Sequence, residues 1–125
     1  MKLYGRADRL RARREAWSEL VHASLVEAFG LPPEKRFQRF IGLDPADFVY
    51  PAGRSEDYTI IEIVLFEGRS VESKKALYAQ LYTRAAAAGV TAADLEITLI
   101  ETPRHDWGIR GLPGDELELS YRVDA

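Results

Sequence analysis

The sequence predicts a single α+β domain over residues 1–125, in which two β-α-β units form a four-stranded sheet with two helices on one face. One observation is an internal repeat, because the segment around Gly30 aligns without gaps to the segment around Gly89, at an offset of 59 residues. A second is the spacing of apolar residues, which changes between strand-like and helical patterns in the same order in both halves. A third is the Gly-Arg pair that follows the first predicted strand of each half.

The first half of the repeat, about residues 1–44, predicts a strand, a helix and a second strand. The opening MKLYGR predicts the end of a strand and the turn after it. Between Leu10 and Phe29 the apolar residues recur at helical spacing along one stripe. Gly30 and the two prolines after Leu31 end this helix. RFQRFIGL at 36–43 then predicts the second strand.

The second half, about residues 58–103, repeats this order. YTIIEIVLF at 58–66 is the strongest strand pattern, and Ser70 is a suitable N-cap for a helix over 71–88. LEITLIE at 95–101 predicts the last strand of the sheet.

The rest of the chain lies between and after the two halves. Residues 44–57 are rich in Pro, Gly and Asp and predict a loop. The C-terminal extension, 104–125, predicts a loop followed by a short hairpin or edge strand.

The strand at 58–66 also predicts self-association. TIIEIVLF carries apolar residues on both of its faces, so both faces of the sheet are expected to be buried. Two crossover helices can cover only one face of a four-stranded sheet. Another copy of the chain is the simplest cover for the other face, and we therefore expect an obligate oligomer.

Composition limits the classes of function. With 46% hydrophobic and 30% charged residues the chain has the balance of a soluble globular domain, and a reducing cytoplasm is the default location. The absence of cysteine excludes disulfides and thiolate sites. A net charge of −3 argues against a nucleic-acid partner, and no apolar run is long enough for a membrane span. Two histidines far apart make no metal-site pattern, so we predict no metal and no cofactor.

Five arginines lie within nine positions near the start of the chain: Arg6, Arg9, Arg11, Arg13 and Arg14. They could form a site for an anion or an acidic partner. A solvated helix face is the simpler interpretation, and we favour it.

Three segments together resemble the tautomerase superfamily, in particular the branch that includes malonate semialdehyde decarboxylase. They are VHASLVEAFGLPPEKRFQ (21–38), VLFEGRSVESKKALY (64–78) and IETPRHDW (100–107). The resemblance implies a homotrimer. It also implies an active site in which an N-terminal proline amine is the general base or acid and arginines after the third strand hold the substrate carboxylate.

The start of the chain departs from that family pattern. It begins Met1-Lys2, with no proline nearby. Lys2 either occupies the proline position, or the chain starts about two residues after it. Because a large second residue blocks removal of Met1, we expect the primary amine of Met1 at the terminus. Met1 and Lys2 are therefore the candidate catalytic residues. Lys2 could be a desolvated amine that acts as a general base or as a Schiff-base nucleophile. The simpler interpretation is an exposed lysine at a frayed terminus.

The substrate-binding positions implied by the resemblance are partly kept. Arg69 and Trp107 match the family, whereas Lys35 stands where the decarboxylases have aspartate and Glu67 where they have a second arginine. Family-type decarboxylation is therefore not expected. Arg69 either binds a carboxylate or is a turn arginine paired with a nearby glutamate. Lys35 either adds a second positive charge to the site or is a surface lysine balanced by its neighbour Glu34.

Three further candidates carry less weight. Tyr50, in the loop, is expected near the pocket. His22 is expected to be packed among apolar residues of its helix rather than catalytic. His105 and Asp106 could form an acid-base pair, but adjacent residues in a loop are more often structural.

Two functions follow as hypotheses. The first is an isomerase or lyase of the tautomerase superfamily with a degenerate or altered site, acting weakly or with altered chemistry on small keto, enol or unsaturated carboxylic acids. The second is a catalytically silent trimer that binds small anions or serves as a scaffold.

Overall fold

A computed structural model describes residues 1–125 and contains one four-stranded mixed sheet with helices against one face. The strands follow the order β2-β1-β3-β4. The elements of the main layer are β1 (Lys2–Arg6), α1 (Ala7–Ala12), α2 (Arg14–Phe29), β2 (Arg39–Leu43), β3 (Thr59–Phe66), α3 (Val71–Ala87) and β4 (Leu95–Thr102). The predicted duplicated β-α-β fold is confirmed.

Strand pairing shows how the two halves meet. β1 is parallel to β2, and β3 is parallel to β4, as two β-α-β units require. The halves join through antiparallel pairing of β1 with β3, in which Leu3 lies opposite Ile61. The amino ends of β1 and β2 therefore lie at the same end of the sheet as the carboxyl ends of β3 and β4. We call this the site end.

The core lies between the sheet and the helices. Leu3, Ile61 and Ile63 of the central strands are buried against α2 and α3. The helices contribute Trp17, Leu20, Val21, Leu25, Phe29, Leu77, Leu81 and Ala85. Because side chains alternate along a strand, Ile60, Val64 and Ile100 project from the opposite, outer face. Val64 and Ile100 remain 38% and 40% exposed there. None of the helices is both long and apolar enough to cross a bilayer.

Some boundaries differ from the sequence prediction. The second strand begins at Arg39 rather than at residue 36, because residues 32–35 form a turn closed by the bond from Lys35 N–H to the Pro32 carbonyl (2.9 Å). The first helical segment is interrupted at Arg13. Gly5 lies inside β1, whereas Gly68, at φ 123°, lies in the turn after β3, so the two Gly-Arg pairs are not structurally equivalent.

The loop at 44–57 is tied to the rest of the fold by two carboxylates. Asp94 accepts hydrogen bonds from the backbone N–H (2.7 Å) and hydroxyl (2.5 Å) of Ser55. Asp57 accepts from Arg9 at 2.8 Å and from Arg13 at 3.4 Å. The arginine cluster is thus partly neutralised within the chain, which neither interpretation of the sequence anticipated.

The C-terminal extension folds back over the site end. It contains the predicted short hairpin, formed by β5 (Gly108–Ile109) and β6 (Leu112–Pro113). Its two-residue turn has positive φ at both Arg110 (49°) and Gly111 (87°), which is the geometry of a type I′ hairpin.

Candidate functional site

Five of the six residues predicted for the site lie at the site end of the sheet. Met1 and Lys2 are at the start of β1, and Lys35 is in the loop that leads into β2. Arg69 follows the carboxyl end of β3, and Trp107 follows that of β4. These segments are far apart in sequence, and the mixed pairing of the strands brings them to one end.

Tyr50 is the exception. Its ring centroid lies 5.6 Å from that of Phe48 and 5.5 Å from that of Tyr58, which directly precedes β3. This aromatic cluster lies at the opposite end of the sheet, separated from Lys2 by the length of β1, roughly 15 Å. Within one chain, Tyr50 therefore does not approach Met1, although the sequence placed both at one pocket.

The amine of Met1 is held in place and is partly buried. It donates to the Phe37 carbonyl at 3.0 Å, and the Arg39 N–H donates to the Met1 carbonyl at 3.1 Å. Burial is the largest cause that lowers the pKa of this amine, followed by the positive charges of Arg39 and Lys2. An amine with a lowered pKa is more often neutral near pH 7 and can then accept a proton.

Two cations flank this amine on the outer face of the sheet. The register of β1 and β2 places Lys2 directly opposite Arg39. Neither side chain forms an ion pair with a carboxylate of this chain. Both are available to an anion. Sequence reasoning missed Arg39, because its position beside Met1 follows from the register of β2 with β1.

Trp107 forms an apolar wall on the outer face. Its ring packs edge-on against Phe66 with the centroids 5.0 Å apart, and its indole N–H donates to the Thr102 hydroxyl at 2.5 Å. The guanidinium of Arg104 lies over the Phe66 ring, 5.6 Å from its centroid, and donates to the carbonyls of Gly114 and Leu117. These contacts hold the extension against the end of β3.

An open depression of about 420 Å³ adjoins Trp107. It is lined by the β5–β6 hairpin and by the exposed pair His105 and Asp106, whose Nε2 and Oδ1 atoms are 3.5 Å apart. His22, by contrast, is buried in α2. The geometry thus places His105, and not His22, beside a cavity.

Arg69 is buried and does not face solvent. Its guanidinium donates to the carbonyls of Phe29 (3.0 Å) and Arg122 (3.1 Å) and stacks 4.1 Å above the Phe29 ring. Burial lowers the pKa of Arg69. The expected pairing with Glu67 or Glu72 is not formed, and no carboxylate takes its place.

Lys35 is half-buried and also lacks an ion-pair partner, Glu34 included. Together with Lys2, Arg39 and Arg69 it makes the site end rich in cations without counter-ions. The site end therefore carries an amine that can exchange a proton and side chains that attract a carboxylate, and Trp107 packs against Phe66, four residues along β3 from the residue opposite Lys2.

Comparisons with known proteins agree with this architecture. The family model described as "Tautomerase enzyme" matches residues 35–110. The chain is 29% identical over 105 residues to the probable tautomerase YusQ of Bacillus subtilis (strain 168), covering 76% of this chain and 83% of that protein. It is 38% identical over 58 residues to a 2-hydroxymuconate tautomerase of Comamonas testosteroni, covering 45% of this chain and 90% of that protein.

A solved structure extends the match across the fold. The malonate semialdehyde decarboxylase FG41, inhibited by 3-bromopropiolate, is 33% identical and superposes with a TM-score of 0.77, covering 86% of each chain. The family model covers more than half of the residues, and this superposition includes both halves of the repeat. The chain therefore belongs to the tautomerase family.

Proposed function

We propose that this protein is a tautomerase that acts on small keto, enol or unsaturated carboxylic acids without a catalytic proline, with its site at the amino end of β1. The observation that supports this most strongly is the Met1 amine. It has a lowered pKa and lies beside Lys2 and Arg39, two cations that have no carboxylate partner. The match to a 2-hydroxymuconate tautomerase makes that dicarboxylic dienol the first substrate to test.

The proposed reaction needs only the transfer of a proton. The neutral Met1 amine accepts the proton of the enol hydroxyl and returns a proton to carbon, so that the O–H bond breaks, a C–H bond forms and no oxidant is required. Lys2 and Arg39 bind the substrate carboxylate and stabilise the enolate charge. Trp107 forms the apolar wall, and Lys35 adds positive charge.

The Arg39→Ala variant tests this site. Loss of a charge-assisted contact to the carboxylate is expected to lower kcat/KM for 2-hydroxymuconate by about 10–100-fold, since each 1.4 kcal/mol corresponds to tenfold. Arg14→Ala is the matched control, because Arg14 is exposed, has no ion pair and lies at the start of α2. Equal rates for the two variants would contradict the proposed site.

The pH profile and the intact mass test the proposed base. The amine must be unprotonated to act, so kcat/KM is expected to rise with pH and to level off at a pKa below 8.0, the ordinary value of an amino terminus. The mass of the purified protein identifies the group that occupies the amino end of β1. A plateau that begins only near the pKa of an ordinary lysine, about 10, would transfer the role to Lys2.

Self-association as a homotrimer is part of this proposal. The outer face exposes Val64 and Ile100, and Ile41 and Ile60 project from the same face. Two further copies of the chain would bury this surface. A small carboxylate is the expected ligand, and neither nucleic acid nor a membrane is expected as a partner.

A second candidate function is a silent trimer that binds small anions or serves as a scaffold. Two observations favour this function. The Arg122 carbonyl occupies a hydrogen bond of Arg69, and Lys35 and Glu67 stand at positions where the decarboxylases carry other residues. Binding of 2-hydroxymuconate without any isomerisation above the buffer rate would support this function over the first.

A further inference from the structure

The last five residues of the extension, 121–125, lie across Arg69 and the start of α3. We call them the C-terminal strap. The Arg122 carbonyl accepts a hydrogen bond from Arg69, and the Ala125 carbonyl accepts one from the Ser73 hydroxyl at 2.8 Å. A Cβ atom at Gly68 would be only 3.1 Å from the Val123 carbonyl oxygen, so glycine permits this close approach.

Arg69 is only 8% exposed, and its two acceptors are neutral carbonyls. Asp124 of the strap attracts the guanidinium from outside ion-pair distance, so the hydration that Arg69 has lost is only partly replaced by opposite charge. A carboxylate in the place of the Arg122 carbonyl would form a charge-assisted and geometrically matched pair. Arg69 thus has hydrogen-bond acceptors, but no carboxylate is in direct contact with it.

The contacts that hold the strap are few. No residue after Pro113 belongs to a strand. The ion pair between Arg122 and Asp124 lies within the strap itself and is largely exposed, so it does not anchor the strap to the domain. The strap can therefore leave Arg69 without disrupting a sheet or the core.

We propose that the C-terminal strap is an intramolecular competitor for the carboxylate site of Arg69, and that a small carboxylate binds Arg69 only when the strap is released. This inference rests on the proposed function for the class of ligand. It adds regulation, because anything that displaces residues 121–125 opens a second carboxylate contact at the site end. In the closed form, only Lys2, Lys35 and Arg39 remain available to the ligand.

The test removes the strap after folding. A specific protease site inserted between Ser120 and Tyr121 is cut in the folded full chain, and malonate binding is titrated calorimetrically before and after the cut. Because apparent affinity scales with the fraction of open protein, the dissociation constant for malonate is expected to fall at least tenfold after cutting. A change of less than twofold would overturn the proposal.

Two Arg69 variants separate this site from the other cations. In Arg69→Gln, cutting is expected to leave malonate affinity unchanged, and in Arg69→Lys the gain is expected to be smaller, because lysine cannot bind a carboxylate in bidentate fashion. An equal gain in Arg69→Gln, or loss of the helical circular dichroism signal after cutting, would contradict the proposal.

The strap and the proposed function can fail separately. Malonate binding requires no turnover, whereas the proposed function is judged by isomerisation of 2-hydroxymuconate. A tenfold gain in malonate affinity with no isomerisation would support the strap proposal and contradict the proposed enzymatic function. Isomerisation without a gain in malonate affinity would support the proposed function and contradict the strap proposal.

Discussion

At the scale of single residues, Asp57 shows how this chain uses its unusual run of arginines. Its carboxylate accepts from both Arg9 and Arg13, and Arg13 also donates to the Ala88 carbonyl at 2.7 Å. One acid therefore connects the loop before β3 to α1, and Arg13 extends the connection to the end of α3. Arg11 and Arg14 stay exposed, as expected of a solvated helix face.

Asp57→Asn is expected to lower the free energy of unfolding by about 1.5–3 kcal/mol, the usual range for a hydrogen bond to a charged group. The hydrogen bond from Arg9 is the largest cause that holds the pKa of Asp57 below its ordinary value. A lowered folded-state pKa stabilises the fold above the unfolded pKa and loses that effect as pH falls through the folded value. The difference between wild type and variant is therefore expected to shrink below about pH 4.

Urea denaturation at pH 7 and at a series of lower pH values measures this effect. Asp115→Asn is the control, because Asp115 is exposed and has no ion pair, and it is expected to change stability by less than about 0.5 kcal/mol. A pH-independent difference for Asp57→Asn would show that the charge of Asp57 is not what stabilises the loop.

At the scale of elements, helix α3 shows how local sequence fixes one boundary. The Ser70 hydroxyl accepts from the Ser73 N–H at 3.1 Å, and the same turn carries Arg69 toward Phe29. The N-cap thus fixes the residue at which α3 begins and the position of the turn that contains Arg69. At the other end of the sheet, α1 approaches β2 so closely that a Cβ atom at Gly42 would lie 2.9 Å from Ala7 Cα.

Ser70→Ala is expected to destabilise the protein by about 1 kcal/mol, because one N–H at the start of α3 loses its acceptor. Thr91→Ala is a matched control, since Thr91 caps the short turn before β4 without a side-chain hydrogen bond. Thermal unfolding of the two variants measures the difference. Equal losses of stability in the two variants would show that the hydrogen bond to the Ser70 hydroxyl does not stabilise α3.

At the scale of the whole molecule, the sheet has two unequal faces. The helices bury Leu3, Ile61 and Ile63, whereas Val64 and Ile100 stay exposed on the outer face. Arg39, Lys2 and Glu62 lie opposite one another on three neighbouring strands and form a charged row on the outer face. Apolar and ionic groups therefore alternate across this surface. Both kinds of contact are available to another copy of the chain.

Val64→Asp is expected to shift the protein from the proposed trimer to its 14.1 kDa monomer, because a carboxylate buried between subunits would lack a partner. Light scattering at micromolar concentration measures the mass. Ala86→Asp on the exposed side of α3 is the control and is expected to stay trimeric. A monomeric wild type at this concentration would contradict the trimer.

Features that depend on neighbours in sequence were predictable, whereas features that depend on contacts between distant segments were not. Ser70, Gly30 and the pattern of 58–66 gave the cap, the helix end and the long strand, since these depend on neighbours in sequence. Arg39 was missed because its role depends on register with Lys2, and Tyr50 was expected at the pocket although the fold places it at the other end. The packing of Arg69 was also not predictable, because its acceptors come from α2 and from the strap.

The duplicated fold and the family resemblance could be predicted from the residues alone, because apolar periodicity and glycine positions are local properties that repeat in both halves. The sequence also identified most of the residues at the site end. Which charges have partners became known only from the folded chain: Asp57 pairs with two arginines, while Lys2, Lys35 and Arg39 form no ion pair and the strap covers Arg69. Charge pairing depends on distances between segments far apart in the chain, and those distances exist only once the sheet has formed.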